Sequence, residues 1–225
     1  MRPILYSYFR SSCSWRVRIS LHLKKIDFEY RPIHLVKGGG QQLSSDYLAL
    51  NPKGEVPYFI DGQTQLSESM AILFWLEDQY LQINQSPRLL PNHPIKKYQC
   101  LQLCEVINSG IQPLQNLKVL KMLEEGFQFT AEQKNQWAKH WITTGLHQLE
   151  QMIIKMADVK SLNSINFALG NELSLVDLLI VPQLYNARRF EVKLEANPVL
   201  LQIENSCQKL EAFIKASPEN QMDFN

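Results

Sequence analysis

Near Tyr80 this 225-residue chain changes texture, and no other feature limits its fold as strongly. Before that point the segments are short and change character every few residues. Beyond Pro94 the chain reads almost entirely as long helices. Between them Asn84, Gln85 and Ser86 are followed by Pro87, Pro91 and Pro94, a composition that suits a linker. A chain of this length can build one large core or two modest ones. The change of texture predicts two: an α/β domain over residues 1–83, a linker over 84–94, an all-helical domain over 95–217 and a tail over 218–225.

In the first half, Ile4 to Phe9 is a six-residue apolar and aromatic run, which predicts a buried strand. Phe28 to Leu35 is rich in strand formers, and Pro32 pushes it towards a sheet edge. Val56 to Ile60 and Thr64 to Leu66 flank Asp61-Gly62, a hairpin signal. Ser14 to Lys25 is the ambiguous stretch. Val17, Ile19, Leu21 and Leu23 alternate with polar residues, which taken alone favours a strand. We read it as a helix. It has no turn residue, opens on serines suited to an N-cap, and closes on Lys24 and Lys25, which suit a helix C-terminus. A helix between two strands makes a βαβ unit. A further helix follows Ser67-Glu68-Ser69 and carries Ile72, Leu73, Trp75 and Leu76. In the second half Pro94 is placed like an N1 proline. Thr130-Ala131-Glu132-Gln133 is a capping box that opens a helix to about Asp158. Ser174-Leu175-Val176-Asp177 caps another, and Asn197-Pro198 starts the last.

Charge narrows the function classes. The formal net charge is +1, so no overall field draws nucleic acid or anionic lipid, and no basic stripe is interleaved with aromatics. No apolar run is long enough to span a bilayer, and the amino terminus lacks the pattern of a signal peptide. Four cysteines, Cys13, Cys100, Cys104 and Cys207, form no C-x-x-C pair and read as reduced thiols of a cytoplasmic protein. Cys100 and Cys104 have no histidine beside them, so core packing is read there and no metal site is expected.

Three short segments carry chemistry. Arg10-Ser11-Ser12-Cys13-Ser14-Trp15-Arg16 follows the first strand directly, where open α/β folds bind ligands. The N-terminus of the following helix favours an anion, and hydroxyls there can donate to a thiolate. Taken alone, serines that merely cap a helix explain the turn as well. Val56-Pro57 opens a strand, and a cis bond there would turn the Val56 N–H and C=O towards a ligand. Glu68-Ser69 precedes a second helix and could hold a carboxylate and an ammonium together, although simple capping fits it equally. Cys13 stands beside a helix N-terminus, and a positional or redox-sensitive role is read ahead of direct catalysis.

The run Ser11 to Ile19, with Gly39-Gly40-Gln41-Gln42, Ala49-Leu50-Asn51-Pro52, Val56-Pro57, Glu68-Ser69, Gly110 to Asn116 and Asn186-Ala187-Arg188-Arg189-Phe190, resembles the zeta class of glutathione transferases from about Ile4 to Phe213. The resemblance implies a thioredoxin-like domain of βαβ-α-ββ-α order followed by an all-α bundle, glutathione as cofactor and a homodimer. It implies Ser11, Ser12 and Cys13 as the catalytic turn, with Ser11 bonded to the glutathione sulfur and Ser14 beside it. Gln42, Val56 and Pro57 would hold the cysteinyl-glycine part, and Glu68 and Ser69 the γ-glutamyl end. Arg10, Gln112, Asn116 and Arg189 would face a small dicarboxylate substrate. The implied reaction is glutathione-dependent isomerisation of maleylacetoacetate to fumarylacetoacetate, a step of tyrosine and phenylalanine breakdown. Transferase activity, or a related acid such as maleylpyruvate, is the alternative, and a binding module without turnover is the rival from outside the enzymes.

Magnitudes support a turn of this kind. Lowering a thiol pKa by about two units from about 8.5 needs roughly 2.7 kcal/mol. A hydrogen bond to a charged group supplies about 1.5–3 kcal/mol and a helix terminus about 0.3–1 kcal/mol. One hydroxyl and one helix end therefore suffice.

Overall fold

The strand formers of the first half assemble into one four-stranded sheet in a computed structural model that describes residues 2–81, 86–157 and 165–224. The chain divides into two compact units, Met1–Arg88 with Gln208–Asn225, and Leu89–Cys207.

In the first unit β1 (Ile4–Ser7) runs parallel to β2 (Glu29–Pro32), and α1 (Ser12–Leu23) connects them. A short helix, α2 (Ser45–Leu50), precedes the antiparallel pair β3 (Tyr58–Asp61) and β4 (Thr64–Ser67), and α3 (Ser69–Tyr80) follows. The sheet order is β2-β1-β3-β4, so Pro32 ends an edge strand, where its missing N–H costs no ladder bond. Asp61 pairs with Thr64, which leaves a two-residue loop whose Gly62 takes the positive φ of 60° that such a turn needs.

The alternation that made α1 read like a strand has a physical cause. Trp15 to Leu21 are all buried, polar and apolar alike, and α1 packs against α3 and against α9 (Glu211–Ala216). A helix buried on every side carries no amphipathic stripe to betray its period. One of its largest buried polar side chains is well partnered: the Arg18 guanidinium donates to Ser7 Oγ and to the Tyr8, Phe9 and Ala216 carbonyls. Lys24 caps the C-terminus of α1, as its place in the sequence suggested. It is wholly buried, with Nζ 2.5 Å from Glu77 Oε1 of α3, and Lys25 takes the left-handed φ of 53° that ends the helix.

The second unit contains α4 (Pro94–Asn108), α5 (Leu117–Phe127), α6 (Ala131–Met156), α7 (Leu175–Arg189) and α8 (Pro198–Cys207). Pro94 is the first residue of α4, and the Thr130 box caps α6, which closes at Met156; Asp158 lies outside the described residues. The core centres on α7, most of which is buried, against α4. Asp177, fully buried, accepts the Ser174 N–H at 2.7 Å, the Ser174 hydroxyl at 2.9 Å and the Ala168 N–H at 2.7 Å. Cys100 and Cys104 are buried in α4 as core residues. Two expectations change. The helix opened by Asn197-Pro198 is not the last, since α9 follows, and α9 with the tail completes the first unit although 95–217 was expected to be one helical domain. α9 packs against α1, whose Arg18 donates to the Ala216 carbonyl at its end. The expected 83/84 boundary falls outside the described residues.

Candidate active site

Sheet register gathers the three sequence segments at one edge. Tyr6 of β1 faces Tyr58 of β3, which faces Ser67 of β4. One residue further in each strand stand Ser7 and the turn to α1, Pro57 with Val56, and Glu68 with Ser69. Neighbouring strands lie roughly 4.8 Å apart, so the three fall within about 10 Å in projection across the sheet. Strand β2 ends on the same side, with Pro32 opposite Ser7, and leads into the segment that holds Gln42.

Ser11 caps α1. Its backbone N–H donates to the Tyr8 carbonyl at 3.0 Å, closing a tight turn, and its Oγ accepts the Ser14 N–H at 3.2 Å. The cap uses the oxygen's lone pair and leaves the hydroxyl proton to donate elsewhere. Capping and thiolate binding, which sequence set against each other, are therefore compatible in one side chain. Ser12 and Cys13 contribute the first N–H groups of the helix, which no intrahelical carbonyl can reach. Cys13 is part-buried, and Ser14 is fully buried with its Oγ lacking a partner among the described residues. Arg16, 1% exposed, brings Nη2 to 3.1 Å from Cys13 Sγ. Sequence reasoning passed over Arg16; its position one helical turn after Cys13 was the available signal. Arg10 lies in the turn with its guanidinium carbon 5.6 Å from the Tyr8 ring centre and 5.8 Å from that of Phe9.

Gln42 is buried within a short 3-10 turn, where its Nε2 donates to the Leu35 carbonyl at 3.2 Å and its Oε1 lacks a partner among the described residues. Gly40 explains how that amide fits. At φ 99° the backbone favours glycine, and any Cβ would stand 2.5 Å from Gln42 Nε2 and 2.7 Å from Oε1, so a side chain there would push the amide aside. The Val56–Pro57 bond is cis. The residue before it is held from the side: Tyr47 Oη and Asn51 Nδ2 both donate to the Glu55 carbonyl at 2.7 Å. Glu68 takes a positive φ of 66°, costly for a residue with a side chain and common at ligand clamps. Its carboxylate makes no capping bond; it meets Lys53 Nζ, which is also 3.0 Å from Glu55 Oε2. Burial opposes the Lys53 charge, and the bonds to Glu68 and Glu55 outweigh it and raise the pKa. Ser69 is the buried first residue of α3.

Gln112, Asn116 and Arg189 belong to the helical unit. Gln112 opens a 3-10 turn, Asn116 caps α5 by accepting the Lys118 N–H at 3.1 Å, and Arg189 ends α7 with Nη1 3.2 Å from Asn186 Oδ1. Its neighbour Arg188 forms a two-pronged pair with Glu204 instead. Among the described residues no group of three or more His, Cys, Asp or Glu could hold a metal ion, and no helix is long and apolar enough to cross a membrane.

A mixed sheet whose βα turn, cis-prolyl bond and second helix start share one edge is the first half of a thioredoxin-like transferase. Residues 5–83 match the glutathione S-transferase N-terminal domain family, and the chain belongs to the zeta class of the glutathione transferases. It is 43% identical over 224 residues to a probable maleylacetoacetate isomerase 2 of Drosophila melanogaster, covering 99% of this chain and 91% of that protein. Among solved structures, a bacterial maleylpyruvate isomerase described as a zeta-class glutathione S-transferase is 33% identical with a TM-score of 0.90, over 99% of this chain and 100% of that one. The maleylacetoacetate isomerase of Anaeromyxobacter dehalogenans, solved with glutathione in its active site, is 37% identical with a TM-score of 0.84, over 99% and 98% of the two chains.

Proposed function

We propose that this chain catalyses the glutathione-dependent cis–trans isomerisation of maleylacetoacetate to fumarylacetoacetate, as its likeness to isomerases over nearly its whole length supports. The observation that carries the reading is the Ser11 cap, whose hydroxyl proton is left over at a helix N-terminus beside the sheet edge. The residues fit the tripeptide. Gln42 offers a buried, unpartnered amide oxygen to a peptide N–H, the Val56 backbone offers a donor and an acceptor, and Glu68 with Ser69 matches an amino-acid terminus. Glutathione supplies, when bound, a thiolate that adds to the conjugated double bond and leaves once that bond has turned.

The chain's own work is then electrostatic. Ser11 donates to the sulfur, and the Ser12 and Cys13 N–H groups at the start of α1 add a fixed positive end. Arg16 keeps a guanidinium against Cys13 and contributes to the same field. Arg10, Gln112, Asn116 and Arg189 are assigned to the acid substrate, the two arginines pairing with its carboxylates. The four free cysteines support a reducing, cytoplasmic setting, and the resemblance supports a homodimer and a place in tyrosine and phenylalanine breakdown. Likeness to a maleylpyruvate isomerase favours that acid as the second reading.

The test is a rate comparison with purified protein and glutathione. Fast conversion of maleylacetoacetate, slower conversion of maleylpyruvate and poor conjugation of an aryl halide are expected. Preference for the halide, or turnover without glutathione, refutes the assignment.

A further inference from the structure

The chain's last residues reach back to the turn that presents Ser11. Asp223 Oδ2 accepts the Phe9 N–H at 3.0 Å, and Oδ1 accepts the Tyr30 hydroxyl at 2.6 Å. The Phe224 ring stands edge-on to Phe9, with centres 5.6 Å apart. The tail is itself tied to the end of α9: Asn220 Nδ2 donates to the Ile214 carbonyl at 2.7 Å and Gln221 Nε2 to the Lys215 carbonyl at 2.9 Å.

Arg18 works on the same peptides from below. Its buried guanidinium donates to the Phe9 carbonyl at 2.7 Å and the Tyr8 carbonyl at 3.3 Å. Burial lowers the Arg18 pKa to about 10, against the opposing fields of Tyr30, Asp223 and Glu219. Phe9 thus has its N–H held by one carboxylate and its C=O held by one guanidinium. The Tyr8 carbonyl that Arg18 grips is also the acceptor that closes the turn onto Ser11 N–H. Two peptide planes fixed in this way decide where the next side chains in the turn point.

We propose that Asp223 is a positioning residue for the reaction, a latch from the carboxyl terminus that, with Arg18, orients the Tyr8–Ser11 turn and so aims the Ser11 hydroxyl. The inference rests on the function proposed above and assigns a role to a tail that contributes nothing to that chemistry directly. A nearby helix terminus cannot replace it, because aim is a property of the turn and not of the dipole. Loss of the latch leaves Ser11 present but loosely directed, and misplacement of about 1 Å can cost up to ~100-fold in rate.

The experiment compares Asp223→Ala and Asp223→Asn with Tyr30→Phe, which removes the bond to Oδ1 and the hydroxyl's interaction with Ser7 but leaves the carboxylate that holds the Phe9 N–H. Three readouts are taken on folded protein: ultraviolet titration of the bound glutathione thiolate, steady-state kinetics, and hydrogen exchange at the Phe9 to Ser12 amides. For Asp223→Ala the expectation is faster exchange across those amides, a higher thiol pKa, and kcat/KM lowered about 10-fold while the glutathione Kd moves less than about 2-fold. Asp223→Asn, which keeps the volume and one acceptor, should fall between Ala and the parent, and Tyr30→Phe should resemble the parent. Unchanged exchange in Asp223→Ala, an unchanged titration, or an equal loss in Tyr30→Phe overturns the latch. A parent that turns over no substrate and shows no thiolate refutes the proposed function instead, and the exchange data still decide whether Asp223 braces the turn.

Discussion

Replacing Ser11 by Ala removes two interactions of different size from one atom. As an acceptor, Oγ satisfies the Ser14 N–H at the start of α1, a cap worth about 1 kcal/mol. As a donor to a bound thiolate the same hydroxyl is worth about 1.5–3 kcal/mol, which is roughly one to two pKa units on the sulfur. If the parent holds the thiol near 6.5, about three quarters of it is ionised at pH 7; at 8 the fraction is about one tenth. A more basic sulfur is also a better nucleophile and a poorer leaving group, so the rate is a blunter reporter than the titration itself. The assay is therefore absorbance of the enzyme-bound thiolate from pH 5 to 10, with initial rates on maleylacetoacetate alongside. Ser11→Gly separates the two losses, because glycine caps within a few tenths of a kcal/mol of serine yet has no hydroxyl. Both variants should show the same raised titration, and only Ala should also melt lower, by about 2–4 °C. A midpoint in Ser11→Ala within a few tenths of a unit of the parent's would show that Ser11 is not the sulfur's partner.

Three further outcomes are expected. Gly40→Ala, whose methyl enters the space of the Gln42 amide, should weaken glutathione binding by about 10-fold in calorimetry and cost about 1–2 kcal/mol in stability; unaltered affinity would remove Gln42 from the site. Lys24→Ala should destabilise the fold by about 3–5 kcal/mol in urea by stranding Glu77, whereas Lys24→Met with Glu77→Leu should be close to neutral. Burial raises Asp177 to about 6 while the unfolded chain ionises near 3.9, so the folded state holds the extra proton between those values. The stability this group contributes is complete below pH 3.9 and is lost as pH rises through about 6, so parent minus Asp177→Asn should fall by up to about 3 kcal/mol across that window; a flat difference would refute the burial argument.

Local chemistry was legible in the sequence, and long-range completion was not. The βα turn could be read because a strand, a run of serines and a helix are consecutive, and the cis bond because proline stands at a strand start. Lys24 was read correctly as a helix end, but its burial was not legible, because its partner Glu77 lies on another helix. Asp223 left no trace: its contact with Phe9 spans 214 residues, and nothing near either residue announces the other. Gln42 entered only through family resemblance, and the room that Gly40 leaves for its amide appears only in three dimensions.

Because one unit is stitched from two segments that flank the other, its maturation waits for residues 208–225 to be made. At about 5–20 residues per second a ribosome needs roughly 6–24 s to make residues 89–207 after the first strands have emerged. Throughout that interval Arg18 waits without the Ala216 carbonyl and Phe9 without its carboxylate. The nascent protein thus withholds a finished thiol site until residues 208–225 have emerged, and a product stopped before them lacks the parts that steady it.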